Sequence, residues 1–160
     1  GGPDLSRCVT RGVQVTASCV YMPEHPGQGW GYSIAFSLVG TAEERGFETC
    51  QLDTRTWEIT QEGQEPGVVN GAGVIGFFPI LADGGWICNE ESDPDNQYDS
   101  DADGLREGEF RYQSCSGYQP GRGTFGGSLT FIPGTKKRPT GRPFDVRLEK
   151  FKLYVPEYIF

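Results

Sequence analysis

Apolar and polar residues alternate with a period of two over several short stretches of the 160-residue chain. Val13, Val15, Ala17, Cys19 and Tyr21 are interleaved with Gln14, Thr16, Ser18 and Val20. That pattern predicts a strand with one buried face, because successive strand side chains point to opposite sides of a sheet. The stretch "WGYSIAFSLVG" repeats it with Tyr32, Ile34, Phe36 and Leu38, and "CQLDTRTWEIT" follows with Leu52, Trp57 and Ile59. In the third stretch the apolar phase shifts between Leu52 and Trp57, which predicts a β-bulge. Further strands are expected in "GVIGFFPIL", in "GEFRYQSC" with Phe110 and Tyr112, in "TFGGSLTFI" with Phe125, Leu129 and Phe131, and in "FDVRLEKFKLYV" with Phe144, Val146 and Leu148.

Between these stretches lie "EHPGQG", "QEGQEPG" and "PGTKKRPTG", in which Gly supplies positive φ and Pro fixes φ near its turn value. No window of helical length carries a 3.6-residue apolar stripe free of Gly and Pro. About seven short strands with glycine-rich turns and almost no helix describe an all-β sandwich or barrel. One segment interrupts the rhythm, 89–107, "NEESDPDNQYDSDADGLRE". It is acidic and nearly devoid of apolar residues, so it is expected as an exposed loop insertion within a single domain spanning 1–160.

Charge narrows the function classes. Lys and Arg number 14 against 22 Asp and Glu, a formal net charge of -8, which disfavours a large cationic surface for nucleic acid or anionic lipid. No apolar run approaches the ~20 residues that a bilayer-spanning helix needs, so no membrane span is expected. Cys8, Cys19, Cys50, Cys88 and Cys115 are widely spaced, odd in number and without a C-x-x-C pair. They are read as reduced thiols packed as small hydrophobes, which points to an intracellular, reducing compartment, in the cytoplasm, the nucleus or an organelle. The opening "GGPDLSRCV" lacks Met, as a processed or excised chain would.

The stretch "VVNGAGVIGFFPIL" places Gly71, Gly73 and Gly76 in the order G-x-G-x-x-G. In a dinucleotide-binding fold such glycines follow a strand and open a helix whose N-terminal N–H groups hold the pyrophosphate. Here "FFPILADGGW" follows, with Pro79 where the helix needs a donor and Asp83-Gly84-Gly85 ending the run. The fingerprint lacks its helix. What the three glycines retain is a candidate phosphate-binding turn, should their backbone N–H groups converge as a nest.

The ordered run "CQLDTRTWEITQEGQEPGVVNGAGVIGFFPILADGG", "GEFRYQSCSG", "GTFGGSLTFI", "GRPFDVRLEKFKL" and "YVPEYIF" resembles the ApaG domain family from Val9 to Phe160. It contains a W-x-I-T strand, a G-x-G-V-(V/I)-G turn leading to P-x-(I/L), a Y-x-S motif, a G-x-(M/F)-x-G strand and a closing F-x-L-x-x-P segment. The variant "CQLDTRTWEIT" is similar to the copies at the C-terminus of certain F-box proteins. The resemblance implies a fibronectin type III-like or immunoglobulin-like β-sandwich of seven or eight strands without established enzymatic activity. Members occur as stand-alone bacterial proteins linked to cobalt and magnesium tolerance, in F-box substrate adaptors and in a polymerase-interacting protein. The acidic insertion departs from the family's pattern and inherits no function from it.

Asp99, Asp101, Asp103 and Gly104 form a D-x-D-x-D-G run, whose alternate carboxylates are a candidate Ca2+ site. The twelfth position of an EF-hand loop would be Phe110 rather than Glu, and flanking helices are missing, so the plainer reading is a solvated acidic loop. His25 lies in the turn "PEHPG" without a G-x-S-x-G elbow, and Glu43-Glu44 and Glu62/Glu65 sit in turns. Lys136, Lys137, Arg138 and Arg142 read as a solvated hairpin tip, since no aromatics interleave with them as single-strand nucleic-acid binding requires. Tyr112, Phe125 and Phe131 are read as core, whereas Trp30 and Trp86 adjoin turns and are candidate partner-binding anchors. Two functions follow: a non-catalytic module binding a protein partner, as a substrate-adaptor domain or accessory subunit, or a domain responding to a divalent metal or phosphate ligand.

Overall fold

The computed structural model describes residues 5–21, 30–61, 65, 67–74, 77–87, 105–115 and 123–153. Eleven strands and one short helix are present among them: β1 (Leu5–Thr10), β2 (Val13–Tyr21), β3 (Trp30–Leu38), α1 (Ala42–Arg45), β4 (Cys50–Gln61), β5 (Gly67–Ala72), β6 (Ile80–Ala82), β7 (Gly85–Ile87), β8 (Leu105–Glu107), β9 (Phe110–Cys115), β10 (Gly123–Pro133) and β11 (Phe144–Leu153). Sheet A runs β1-β2-β3-β9, and sheet B runs β11-β10-β4-β6-β7-β8 with β5 also paired to β4. All pairs are antiparallel.

The two sheets face each other across the apolar positions that the alternation predicts. Val13, Val15, Ala17, Ile34, Phe36, Phe110 and Tyr112 of sheet A meet Leu52, Trp57, Phe125, Leu129, Phe131, Val146 and Phe151 of sheet B in one core cluster. The rings of Tyr32 and Phe125, 4.3 Å apart, and of Phe36 and Phe131, 5.9 Å apart and edge-on, bridge the sheets. This is a fibronectin type III-like sandwich.

The phase shift in β4 is a bulge at Asp53. Phe131 of β10 pairs with Leu52 and Thr130 pairs with Thr54, leaving Asp53 as the extra residue. The extra residue restores the phase, so that Leu52 and Trp57, an odd number of positions apart, both point into the core.

Several elements differ from the sequence expectation. The "GVIGFFPIL" stretch is not one strand: a bridge between Val74 and Phe77 folds its start into a turn, and only Ile80–Ala82 pairs in the sheet. Strands β1, β5, β7 and β8 add to the expected set. Of the acidic segment, 105–107 is strand β8 on the outer side of β7, and 89–104 lies outside the described residues. Helix α1 is a single turn set by its caps: Thr41 and Glu44 form a reciprocal capping box, and Gly46 closes the end at φ 88°.

Cys50, fully buried at the start of β4, is a free thiol, as is half-buried Cys8. Burial pushes the Cys50 thiol up from 9.0 to about 12, against the opposing pull of Arg45 and Arg11. A raised pKa in the folded state means that its contribution to stability is intact below pH 9 and is lost as pH rises toward 12. In a chain retaining Cys50 alone, native-state alkylation at pH 8 is expected to be negligible and to become rapid in denaturant. The loss of stability of that chain between pH 9 and pH 12 is expected to be steeper than that of its Cys50→Ala counterpart; parallel curves would refute the burial argument.

Candidate interaction edge

Strand β4 carries two strands on one flank. Its first residues, Cys50 and Gln51, pair with β6, while Thr54 to Ile59 pair with β5. The chain between β5 and β6 leaves the sheet as a turn beside the Asp53 bulge. The turn is held by Gly73 N–H to the Asp53 carbonyl (2.8 Å), reciprocal Val74 and Phe77 backbone bonds (2.9 and 2.8 Å), and Leu52 N–H to the Pro79 carbonyl (3.1 Å).

The glycines have packing reasons to be there. A side chain on Gly71 would meet the Arg55 guanidinium at 2.7 Å; one on Gly73, at φ +61°, would meet the Phe77 carbonyl oxygen at 2.5 Å. Arg55 Nη1 donates to the carbonyls of Ala72 (3.2 Å) and Gly73 (2.6 Å), closing the turn from the core side. The N–H groups of Gly73, Val74 and Phe77 are therefore engaged with backbone carbonyls. Gly76 lies outside the described residues.

The Gly73–Asp53 bond also sets which groups of β5 face outward. In an antiparallel pair, hydrogen-bonded and non-hydrogen-bonded positions alternate. With Arg55 opposite Gly71 and Trp57 opposite Val69, the odd-numbered residues of β5 bond to β4, and Val68, Asn70 and Ala72 turn their N–H and C=O away. The side chains of Val68 and Val69 are 59% and 42% exposed. Asn70 is anchored to Thr56 by a 2.8 Å side-chain bond on the outer face of the sheet.

Edge strands usually carry charges or proline that prevent pairing with foreign strands. The other strands flanking an open side comply: β1 holds Arg7, β8 holds Arg106 and Glu107, β9 holds Arg111, and β11 holds Asp145, Arg147, Glu149 and Lys150. Strand β5, "GVVNGA", has none. Arg55 beside it has no carboxylate partner among the described residues, in contrast to Arg45, Arg111 and Lys136. Its charge reaches the Tyr112 phenol, which burial drives strongly upward, with Tyr32 adding and Arg55 opposing. The Tyr112 hydroxyl is buried without a hydrogen-bond partner.

The remaining sequence candidates are dispersed. Trp86, on β7, is half-buried, edge-on to Phe110 at 5.0 Å, with the Arg106 guanidinium 5.4 Å from its ring centre. Trp30 pairs with Tyr21 in sheet A, and its side chain lies outside the described residues, as do His25, Asp99, Asp101 and Asp103. Lys136 is held by Asp53 at 3.5 Å and lies 3.7 Å from the centre of the Phe78 ring. Lys137 and Arg142 are exposed. No group of three or more His, Cys, Asp or Glu among the described residues is arranged to hold a metal ion. A shallow groove of about 590 Å³ on the outer face of sheet B is lined by Glu58, Asp145, Arg147, Glu149 and Lys150 over Gly127, with the two signs of charge interspersed.

The sequence profile of the ApaG domain matches residues 21–86, the part of the chain that includes β3, β4, β5 and the glycine turn. Protein ApaG of Bradyrhizobium sp. (strain ORS 278) is 31% identical over 120 residues, covering 72% of this chain and 85% of that protein. The chain belongs to the ApaG family. F-box protein SKIP16 of Arabidopsis thaliana is 34% identical over 168 residues, covering 99% of the chain, which spans about a third (34%) of that protein's length. Among solved structures, the ApaA protein of Bordetella pertussis superposes with a TM-score of 0.61 at 23% identity, over 91% of this chain and 94% of its own. That likeness extends the ApaG sandwich to sheets A and B as a whole. Among the described residues, no helix is long and apolar enough to cross a membrane.

The edge residues Val68, Val69 and Arg55 were not singled out by sequence reasoning. The available signal was an uncharged β-branched run, Gly67 to Ala72, bounded by Pro66 and the glycine turn.

Proposed function

We propose that the domain is a non-catalytic protein-recognition module, acting as a substrate-adaptor domain or accessory subunit of a larger assembly, and that it meets its protein partner along β5. The observation that carries this reading is the uncharged, exposed edge of β5 in a sheet whose other open strands all bear charges. ApaG membership, and the F-box protein among the relatives, support an adaptor role. The test is quantitative capture of partners from native extract by the wild-type chain and by Val68→Lys. Val68 is 59% exposed, so lysine there leaves the core intact while charging the edge. Binding is expected to weaken about tenfold with unchanged melting temperature. Equal capture by both chains would move the interface away from β5.

A further inference from the structure

The outward groups of β5 form an unfilled ladder. Val68, Asn70 and Ala72 present their N–H and C=O to the outside, with the charge-free side chains of a strand that nothing among the described residues pairs. A strand laid antiparallel along it would extend sheet B by backbone hydrogen bonds, and its alternate side chains would fall on the two faces of the sheet.

On the core-side face, the incoming residue opposite Gly71 finds no side chain there. Beyond Gly71 lies the Arg55 guanidinium, whose Nη1 is 2.7 Å from where a Gly71 Cβ would stand. That guanidinium is committed to carbonyls through Nη1 and has no carboxylate partner among the described residues. An Asp or Glu opposite Gly71 therefore completes a charge-assisted pair at the rim of the core. Two positions later in an antiparallel strand, the incoming side chain stands beside half-exposed Val69, where an aliphatic residue removes apolar surface from water.

We propose, building on the protein-recognition reading, that β5 docks an extended segment of a partner protein by antiparallel strand addition, selecting an acidic residue followed two positions later by an aliphatic one. A second copy of this chain fits less well. Its own β5 offers no carboxylate for Arg55, and pairing would bring together two chains of net charge -8.

The test is selection of a random peptide display library, of about twelve residues per peptide, on the wild-type chain. The expected result is enrichment of Asp or Glu two positions before Val, Ile or Leu, in runs free of proline. A synthetic peptide of the enriched sequence is then titrated against two variants. Asn70→Pro removes an outward N–H while sparing the bonds to β4, and is expected to abolish binding with little change in melting temperature. Arg55→Gln keeps a donor for the turn carbonyls, and is expected to weaken binding about tenfold and to erase the preference for the acid. Lys substituted for the acidic residue of the peptide should weaken binding to the wild type at least as much.

Enrichment without an acidic preference, full binding by Asn70→Pro, or concentration-dependent dimerisation through β5 would each overturn the proposal. The broader reading fails separately. If Val68→Lys weakens capture of the native partner but Asn70→Pro does not, the partner meets this edge by side chains and strand addition is excluded. If neither variant changes capture, the recognition site is elsewhere.

Discussion

Replacing Phe36 with alanine is expected to lower unfolding stability by about 4 kcal/mol and the melting temperature by roughly 12 °C. Phe36 is fully buried at the centre of the sandwich. Its ring stacks on Phe110 at 5.8 Å, tilts against Tyr112 at 6.3 Å and meets Phe131 edge-on at 5.9 Å. Truncation removes the transfer free energy of the ring and leaves a void walled by three aromatic rings, themselves held in two sheets, so collapse around the gap is limited. Phe36→Leu fills most of that volume and should cost about 1.5 kcal/mol, leaving the stacking increments as the difference. Equilibrium urea denaturation of the three chains measures both steps. A Phe36→Ala loss below about 1.5 kcal/mol would mean that the two sheets close over the void, contrary to the rigid packing inferred here.

The long strands were legible because each has one buried face. Val13, Val15 and Ala17, or Ile34 and Phe36, advertise a period of two over enough residues to exceed chance, and the shifted phase from Leu52 to Trp57 located the bulge to within the correct turn of β4. Short elements left no such trace. Strands β6, β7 and β8 have three residues each, too few to show a period. Strand β5 is exposed on both faces, so its sequence has no apolar alternation. Helix α1 was announced by Thr41, Glu44 and Gly46, but at four residues it has no stripe for periodicity to detect.

The same logic explains the uneven legibility of the interaction edge. The glycine pattern was visible, and its lack of a following helix correctly separated it from a nucleotide-binding turn. What the glycines accommodate was not visible, because Arg55 is 16 residues away in the chain and reaches Gly71 only through the β4–β5 register. An edge is likewise a property of the sheet order. Until β4 is known to share its flank between β5 and β6, an uncharged run such as "GVVNGA" reads as punctuation.

At the opposite end of the sandwich, Arg45→Met is expected to destabilise the domain by about 3 kcal/mol, and Asp83→Ala by only about 1 kcal/mol. The two side chains form one 2.7 Å ion pair, yet their surroundings differ: the Arg45 side chain is 1% exposed and that of Asp83 63%. Solvent screens the carboxylate, so the pair itself contributes modestly. The guanidinium is also the donor for the carbonyls of Val39 (3.2 Å) and Gly40 (3.0 Å), and lies 5.8 Å from the centre of the Phe47 ring. Gly12, at φ +84°, packs directly on its methylenes, in a position where any Cβ would collide with them. Methionine preserves much of this packing but leaves both carbonyls without their donor in a partly buried corner. Thermal and urea unfolding of the two variants separate the contributions. If Asp83→Ala is as damaging as Arg45→Met, the ion pair holds this corner; if only Arg45→Met is damaging, the buried guanidinium acts through the carbonyls that join the end of β3 to α1.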